Sequence, residues 1–545
     1  MHTIYARSVA QLAGRALSTL DFERTSPSYG SFDRTWWCWK FTDFSATRFQ
    51  EGTCLLAWLL TSPQAPAHAA GSARLRDGAA AAIAFWSRLQ HGDGCFDEAY
   101  PFERSLAATA FSTFYIANAV ERLGERLDRA ERDGALATIA RAGQWLAANG
   151  EYHGILSNHL AAAAAALQLA GDVTGSDRFS AGRNRYLDLI ARHQHPEEGW
   201  MMEYGGADPG YQSHAMFYLA EIQKRTGSAE WLERLRHAAR FIGWFAHPDG
   251  TLGGEHASRG TKFTYPAAFE MLAAQCPASA AIARHNRAMM AAGRGVTAQE
   301  MDAWNQFPLL NNLLFAADAA GPLTAEGPLP WQAEGASALF PAAGMAVVHR
   351  PGRVVAVGGR TGGVVKVWEP GGALVYEDCG YAVRRGKAAL SSQGTSTVTF
   401  DRAEDGTLAI GVQAAFKTLP ATRFTPVTFL GFRLFTLTVG RMPALARWLK
   451  MLLVKVLIHA RPNDGLMLDR TITILPDGRV VIDDRLSGAD AEPQPLARQV
   501  PYHMGSSRYA DTLDQCGARL APPPAVAEGG RRYRRSVTVP SGERL

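Results

Sequence analysis

The spacing of apolar residues divides the chain into two parts with different predicted secondary structure. From Ser8 to about Ala319, apolar side chains recur at helical spacing, and Gly or Pro interrupts the pattern between segments. Strand-type alternation is nearly absent there. The pattern predicts successive helices over residues 78–90, 105–123, 133–148, 158–170, 178–193, 211–226 and 230–245.

Loops of similar composition follow several of these helices. LQHGDGCFDEAYP, HQHPEEGWMMEYGG and AHPDGTLGGEHASRG each combine a DG or EG turn with aromatic and acidic residues. Such a recurrence indicates an internal repeat. Because repeated helical hairpins tend to close into an incomplete barrel with their loops on one face, we predict an N-terminal α/α toroid over residues 1–325.

The pattern changes after residues 321–335, which have the composition of a linker. Short runs of strand type then alternate with Gly, Asp and Pro, at regular spacing. This favours a multidomain chain in which a C-terminal antiparallel β-sandwich, residues 326–545, follows the toroid, with the tail 521–545 only partly ordered. The predicted strands are 344–350, 353–359, 363–369, 373–383, 396–402, 408–416, 470–476 and 478–486.

One segment, residues 441–462, interrupts the strand pattern. Its Arg and Lys residues are interspersed with Leu, Val, Trp448 and Met451, as in a basic amphipathic helix. Two interpretations stay open: a helix packed on the sandwich, or a peripheral contact with a membrane surface.

Composition narrows the class of protein and of partner. The hydrophobic fraction of 47% and charged fraction of 20% are those of a soluble globular protein. A net charge of +5, spread along the chain, suits an acidic polysaccharide or small molecule and does not favour nucleic acid. The six cysteines form no CxxC pair, so buried thiols are expected. The first residues lack an apolar signal segment, which predicts a cytoplasmic location.

Polar side chains lie at the predicted starts of two otherwise apolar helices. Ser157 is the expected N-cap of the first, which puts Asn158 and His159 in its first turn. Asp208 is the expected cap of the second and places Tyr211 in its first turn. The two helix starts are about fifty residues apart and are predicted to face one cleft.

The residue types at these helix starts suit β-elimination on a uronic acid. Asn158 would hydrogen-bond the uronate carboxylate, His159 would neutralise it or act as base, and Tyr211 would transfer protons. His214 and Tyr218 share a helix face with Tyr211, and a helix N-terminus favours a phenolate there. The alternative is that His159 is a structural histidine.

Further candidates come from an aromatic segment and a third loop. SFDRTWWCWKFTDF places tryptophans beside polar arms, which suits sugar binding, or else a first helix packed by aromatic residues. GGEHASRGTKFTYP supplies Arg259, whose guanidinium suits bidentate capture of a carboxylate. Neither a compact metal motif nor a cofactor motif is present in the sequence. The candidate substrate-binding residues are Trp36, Trp37, Lys40, Tyr204, His214, Glu255, His256, Arg259 and Tyr265.

The order of these motifs resembles the heparinase II/III-like superfamily, which includes alginate lyases. The resemblance rests on SFDRTWWCWKFTDF, SNHLAAAAAALQLAG, EYGGADPGYQS, GGEHASRGT and ALVYEDCGYAV, and covers most of the chain. It implies an α/α toroid followed by a β-sandwich and a cofactor-independent lyase. In this superfamily a helix-borne Asn or Asn-His neutralises the uronate and a later Tyr is the catalytic acid, which here match Asn158, His159 and Tyr211.

The sequence departs from that superfamily at one functional position. A catalytic His is expected shortly before the strand of ALVYEDCG, but no His lies between His349 and Asp378. His349, Tyr376 and Tyr381 are the candidate substitutes.

Two other functions therefore stay open beside the lyase. One is a non-catalytic polysaccharide-binding or assembly protein. The other is a glycoside hydrolase, which needs a pair of carboxyl groups; the available candidates are Asp97, Glu98, Glu103, Glu203 and Glu255.

Overall fold

The structure is a computed structural model that describes residues 3–152, 154–323, 327–394, 396–419, 424–457, 462–489, 491–496 and 519–542. The predicted domain boundary between residues 325 and 326 lies outside the described residues, as do residues 458–461 of the predicted amphipathic segment.

The first part of the chain is helical, and each of the seven predicted helices is present. Their ends differ from the predicted ends by a few residues at most. The described helices before residue 320 are α1 (Ile4–Leu17), α2 (Arg34–Trp39), α3 (Thr53–Thr61), α4 (Ala73–Leu89), α5 (Leu106–Leu123), α6 (Arg129–Ala148), α7 (Ser157–Thr174), α8 (Ser180–His193), α9 (Pro209–Thr226), α10 (Ala229–Gly243), α11 (Ala267–Leu272), α12 (Pro277–Ala291) and α13 (Ala303–Ala319).

Alternate helices pack side by side in chain order. Helix α3 contacts α5, α5 contacts α7, α7 contacts α9, α9 contacts α11, and α11 contacts α13, which returns to α3. The others lie outside them: α6 packs on α5 and α7, and α12 packs on α10 and α11. The alanine run of α7 is fully buried, because small side chains let neighbouring helices approach closely on all sides. The starts of α7 and α9 therefore lie next to each other.

The predicted internal repeat is confirmed by three equivalent turns. In each, a glycine N–H donates to a histidine carbonyl three or four residues earlier: Gly94 to His91 at 2.9 Å, Gly199 to His195 at 3.0 Å and Gly250 to His247 at 3.0 Å. All three glycines have positive φ, and a Cβ at any of them would lie only 2.4 to 3.0 Å from an atom of the next outer helix. The repeated turns hold the loops that follow on one face.

The second part of the chain forms two antiparallel sheets. Strands β1 (Met202–Glu203) and β2 (Gly206–Ala207) form a small hairpin within the helical part. The five-stranded sheet has the order β3 (Ser337–Phe340), β4 (Met345–Arg350), β5 (Arg353–Gly358), β6 (Val364–Trp368) and β7 (Leu374–Asp378). The strands of the larger sheet are β8 (Tyr381–Arg385), β9 (Ala388–Ser391), β10 (Ser396–Arg402), β11 (Leu408–Thr418), β12 (Pro462–Ile474), β13 (Val480–Ser487), β14 (Gln494–Pro495), β15 (Val526–Gly529) and β16 (Arg532–Val539).

The two sheets share one apolar core and a buried ionic cluster. Inward-facing Val and Ile residues of both sheets pack together, as the alternating pattern predicted. Between them Arg470 pairs with Asp378 (3.1 Å) and Asp484 (2.7 Å), and Arg535 pairs with both carboxylates. Tyr381 donates to Asp484 at 2.7 Å. Each charge in the cluster thus has an opposite partner within the protein interior.

Part of the basic tail belongs to the larger sheet. Residues 521–545 were predicted to be only partly ordered, and within their described part, up to residue 542, β16 pairs with β13 over eight residues and carries Arg535 into the core. Successive side chains of the RRYRR run face solvent and the protein interior in turn. Arg535 faces inward and pairs with two buried carboxylates, so a charged residue occupies a position where a strand usually has an apolar one.

A helical hairpin interrupts the larger sheet between β11 and β12. Helix α14 (Pro426–Leu437), which the sequence did not predict, is followed by α15 (Pro443–Leu457). Within the described residues, the segment 441–462 is thus helical over Pro443–Leu457, and the ion pairs of the hairpin join it to the helical part of the chain. Arg433 pairs with Asp43 at 2.8 Å, and Lys450 pairs with Glu103 at 3.1 Å. In the described parts of the chain, every helix is too short or too polar to cross a bilayer.

Side-chain contacts join the five-stranded sheet to loops of the helical part. Trp331 donates to the carbonyl of Ala246 at 2.6 Å, and Trp368 donates to Asp249 at 2.8 Å. The carboxylate of Glu198 accepts from two backbone N–H groups just before β4. These contacts keep the sheet against the face that carries the repeated loops.

Candidate active site

A buried carboxylate from another loop holds the start of α7. Glu203 accepts a hydrogen bond from the Ser157 hydroxyl at 2.8 Å and from the Asn158 backbone N–H at 3.0 Å. The prediction that Ser157 is the N-cap is therefore wrong by one residue, because its hydroxyl donates to Glu203 and the cap position is Leu156. An anionic group at a helix N-terminus is stabilised by the unpaired N–H groups and by the helix dipole.

Glu203 is completely buried, and this changes its ionisation. Burial raises the pKa of Glu203 to about 7, although the Arg259 guanidinium and the two hydrogen bonds from α7 act in the opposite direction. Arg259 lies 3.4 Å from the carboxylate. A proton on Glu203 is thus in exchange near neutral pH.

The start of α9 carries Tyr211. Asp208 caps the helix as predicted, since its carboxylate accepts from the Tyr211 N–H at 2.9 Å. The second carboxylate oxygen accepts from the Arg259 N–H at 3.0 Å. Asp208 therefore fixes α9 and the Arg259 loop relative to each other.

The guanidinium of Arg259 lies over two tyrosine rings. Its central carbon is 3.7 Å from the ring centre of Tyr211 and 5.0 Å from that of Tyr204. Burial raises the pKa of Tyr211 to about 12, and Arg259 opposes this shift. Desolvation outweighs the nearby positive charges, so Tyr211 is protonated in the resting protein. Tyr211 is therefore a neutral phenol, and the charge of Arg259 makes the loss of its proton less costly.

His214 lies beneath this pair. Its ring stacks on Tyr265 with centres 3.9 Å apart, and its Nε2 is 2.9 Å from the Tyr218 hydroxyl. Burial, then the charges of Arg48, His159 and Arg259, hold the pKa of His214 well below its usual value. His214 is therefore neutral, and the Tyr218 hydroxyl fixes its ring.

His159 occupies the partly exposed rim. Its Nδ1 is 2.9 Å from a carboxylate oxygen of Glu151, and its ring meets the Phe111 ring edge to face at 5.6 Å. A carboxylate at Nδ1 favours a proton there, which makes Nε2 the basic nitrogen of the neutral ring.

Three buried polar atoms of the residues described above have no hydrogen-bond partner among the described residues. They are the side-chain oxygen of Asn158, the Nδ1 of His214 and the Nε of Arg259. Unsatisfied buried polar groups are costly, so such atoms indicate a place where a ligand supplies the missing partner. The structure thus brings together seven of the predicted residues: Asn158, His159, Tyr204, Tyr211, His214, Arg259 and Tyr265.

Sequence reasoning missed the second arginine of the site. Arg48 pairs with buried Glu51 and lies 4.4 Å above the ring of Phe111. Its charge acts on both His214 and Tyr265. The aromatic segment was predicted to bind sugar through its tryptophans and the polar side chains beside them, including Arg48, but a lone arginine in a 3-10 turn leaves no sequence pattern that assigns it to this site. Phe111, in the middle of an apolar helix, leaves none either.

The predicted tryptophans have other contacts. Trp36 packs on Phe85 at 5.6 Å, and the indole N–H of Trp37 donates to the Thr19 carbonyl at 2.9 Å. Lys40 ends α2 and is exposed. Among the described contacts, none joins these three residues to Tyr211 or Arg259, so their sugar-binding role stays a prediction.

Glu255 and His256 lie in a separate cluster, at the contact with the five-stranded sheet. Burial favours the neutral form of Glu255, but Lys262 and Lys366 outweigh it and hold its pKa well below the usual range. Lys366 also pairs with Glu377 at 2.8 Å. This charge-balanced cluster joins the two parts of the chain, and no described contact connects it to Tyr211.

The candidate substitutes for the missing histidine, which lie in the two C-terminal sheets, are also held elsewhere. Tyr376 and Tyr381 donate to Asp378 and Asp484 inside the ionic cluster between the sheets. His349 is buried on β4, where its backbone N–H bonds to Ala336. None of the three is in described contact with the α7 and α9 starts. Within the described residues, no group of three or more His, Cys, Asp or Glu side chains is placed to hold a metal ion.

Comparison with known proteins supports a resemblance to one class of enzymes. Residues 64–297, which contain both helix starts and the Arg259 loop, match the family model of the ulvan lyase N-terminal domain. This match supports the resemblance to polysaccharide lyases that was found in the sequence.

Solved structures have the same fold at low sequence identity. Heparinase III superimposes with a TM-score of 0.54 at 11% identity, over 90% of this chain and 71% of that one. A chondroitin AC lyase from Streptomyces coelicolor A3, in complex with chondroitin sulphate, gives a TM-score of 0.50 at 14% identity, over 89% and 67%. No curated protein matches this chain significantly by sequence.

Proposed function

We propose that this protein cleaves a uronic-acid-containing polysaccharide by β-elimination at the site between the starts of α7 and α9. The observation that carries the proposal is the position of the Arg259 guanidinium, 3.7 Å from the Tyr211 ring centre. The unsatisfied amide oxygen of Asn158 marks the same place. Together they supply a phenol with a stabilised conjugate base and an amide for the uronate.

Each step of the reaction has a group to perform it. The amide of Asn158 can rotate to donate its N–H to the uronate carboxylate, which lowers the cost of charge on that carboxylate as the C5 proton leaves. His159 accepts the C5 proton at Nε2. The C5–H electrons form the C4=C5 double bond as the C4–O bond breaks, and Tyr211 protonates the departing oxygen. Arg259 stabilises the tyrosinate that results.

The carboxyl groups that a hydrolase would need are engaged in structural contacts. Asp97 accepts from two backbone N–H groups and from His91, and Glu103 accepts from two backbone N–H groups and Lys450. Glu98 accepts from Arg48 and from the Ser105 hydroxyl, Glu203 holds α7, and Glu255 is paired with two lysines. These contacts favour the lyase over the hydrolase.

The products distinguish the candidate functions. A lyase creates an unsaturated uronide that absorbs in the near ultraviolet, a hydrolase creates only reducing ends, and a binding protein creates neither. Ulvan, chondroitin sulphate, heparin and alginate form the panel, with the full chain and its Tyr211→Phe and Asn158→Ala variants. Absorbance that grows with the wild type and is lost in both variants supports the proposal, while reducing ends without absorbance contradict it.

We also propose the finer architecture and setting that the sequence suggested. The ring of alternate helices supports an α/α toroid, and the shared core of the two sheets supports a sandwich. A role in cell-surface polysaccharide metabolism, close to a membrane, is supported by the basic and apolar character of α15.

A further inference from the structure

The hairpin of α14 and α15 presents a large apolar surface to solvent. On α14, Val427, Leu430, Leu434 and Leu437 are exposed at positions i, i+3, i+7 and i+10, and Val427 is 80% exposed. On α15, Trp448, Met451 and Leu452 are exposed at i, i+3 and i+4. Contiguous apolar surface of this extent on a soluble protein marks an interaction site.

The exposed surface continues beyond the hairpin. Trp39 is 70% exposed and Phe41 is 94% exposed, on the loop whose Asp43 pairs with Arg433 of α14. Met442, between the two helices, is exposed as well. We call this combined surface, residues 39–41 with the outward faces of α14 and α15, the apolar platform.

The hairpin turns its charged side inward. Arg433 pairs with Asp43, Lys450 pairs with Glu103, and the Arg441 carbonyl accepts from Arg104 at 3.1 Å. These contacts attach the charged side of the hairpin to the helical part, so the apolar side faces solvent.

The charge of this part of the sequence identifies the kind of partner. Residues 406–463 contain no Asp or Glu and eight Lys or Arg residues. Arg433 and Lys450 are paired inward, but Arg441 and Arg447 are exposed next to Met442 and Trp448 in the sequence. An apolar face with exposed basic residues beside it is complementary to anionic lipid, where apolar side chains enter the interface and cations meet the headgroups. Helix α15 has 15 residues and is about 23 Å long at ~1.5 Å per residue, shorter than the ~30 Å of a bilayer core. It fits a position in the interface and not across it.

We propose that the apolar platform docks this protein on the surface of an anionic membrane. The platform flanks the candidate active site, since α15 and the Glu151 loop line one cavity of about 230 Å³ and Glu151 holds His159. A docked molecule therefore holds its catalytic cleft beside the lipid headgroups, where it meets a polysaccharide chain close to the membrane. The docking itself does not depend on lyase activity.

The test is flotation of the purified full chain with lipid vesicles. We expect binding to vesicles of phosphatidylcholine with phosphatidylglycerol, weaker binding to phosphatidylcholine alone, and loss of the difference at high salt. The double variant Leu430→Asp, Leu434→Asp should lower the partition coefficient about tenfold or more, because both side chains lose their place in the apolar interface. Val526→Asp, an equally exposed apolar residue on β15, is the matched control and should bind as wild type.

A second variant and a second measurement guard against misfolding. Trp448→Ala with Met451→Ser alters only α15 and should weaken binding in the same way, with an unchanged thermal unfolding midpoint. Brominated lipid should quench the tryptophan fluorescence of the wild type more than that of this variant, which lacks Trp448. The proposal is overturned if neither vesicle binds the wild type, if both variants bind as well as Val526→Asp, or if sedimentation shows a dimer that the Leu430→Asp, Leu434→Asp variant dissociates.

Discussion

Replacing Arg259 with leucine tests the electrostatic arrangement of the site. The substitution removes the guanidinium that lies 3.7 Å from the Tyr211 ring centre and 3.4 Å from the Glu203 carboxylate. At ~4–5 Å and an effective dielectric constant of ~20, one positive charge stabilises a tyrosinate by about 3–4 kcal/mol. We therefore expect kcat/KM to fall by about 10²–10³-fold.

A graded series separates charge from shape. Arg259→Lys keeps the charge but cannot lie flat over the tyrosine ring, so we expect a loss of about tenfold. Arg225→Leu is the matched control, because Arg225 pairs with Glu121 and Asp172 at the other end of α9. It removes an arginine of similar ion pairing and should leave the rate of uronide formation near wild type.

The assay is the initial rate of near-ultraviolet absorbance on the best uronate polymer, beside a thermal unfolding curve for each variant. Loss of Arg259 also leaves Glu203 buried without its cation, and breaking a buried pair costs about 3–5 kcal/mol of stability. Rates are therefore compared at a temperature where every variant is folded. Folded Arg259→Leu with more than a third of wild-type kcat/KM would refute the reasoning.

Three further substitutions test single interactions. The pKa of Glu203 rises from an ordinary 4.5 to about 7 on folding, so the unfolding free energy should fall by about 3 kcal/mol as the pH rises from 4.5 to 7. Glu203→Gln should remove this component from the pH dependence of denaturant unfolding. An unchanged pH dependence in the variant would contradict the assignment. Asn158→Ala should lower kcat/KM by about 10²-fold. It should change the unfolding free energy by less than about 1 kcal/mol, because the amide oxygen of Asn158 has no described partner. A large loss of stability with normal turnover would argue for a structural role. Arg535→Met should lower the unfolding free energy in urea titration by about 3–5 kcal/mol, since it removes one of the two cations that pair with Asp378 and Asp484. An unchanged unfolding free energy would show that the ionic cluster is dispensable.

The helical part and its cleft could be predicted because their signals are local. Helical spacing and glycine turns fix α4 to α10, and Asp208 with Pro209 is a complete start signal for α9. Asn158 and Tyr211 were predicted to face each other because each follows a helix start in one repeat. The repeat then places both on the same face.

The features that were missed depend on contacts distant in sequence. Glu203 holds the start of α7 although it lies 46 residues from Ser157 in sequence. No sequence signal near Ser157 indicates this contact. Strand β16 reads as a basic tail because its inward Arg535 is paired with carboxylates of other strands. Helix α14 has exposed apolar residues on its outer face, which the surrounding strand pattern conceals.

The absence of a histidine from the expected position before the strand of ALVYEDCG has a structural counterpart. Among the described residues, the groups at the α7 and α9 starts come from the helical part, from Arg48 in its 3-10 turn to Tyr265, while the five-stranded sheet contributes Lys366 to the Glu255 cluster. The proposed chemistry therefore relies on His159 for the base, with Glu151 holding its ring. The His159→Ala variant should consequently lose turnover without losing polysaccharide binding.

The most direct test of the account is the near-ultraviolet absorbance produced by wild type and Tyr211→Phe on the uronate panel. The phenylalanine variant keeps the ring beneath Arg259 and removes only the hydroxyl that protonates the departing oxygen. The account predicts unsaturated uronide with the wild type and a rate at least about 10²-fold lower with Tyr211→Phe. Equal absorbance from both proteins, or reducing ends without any absorbance, would contradict it.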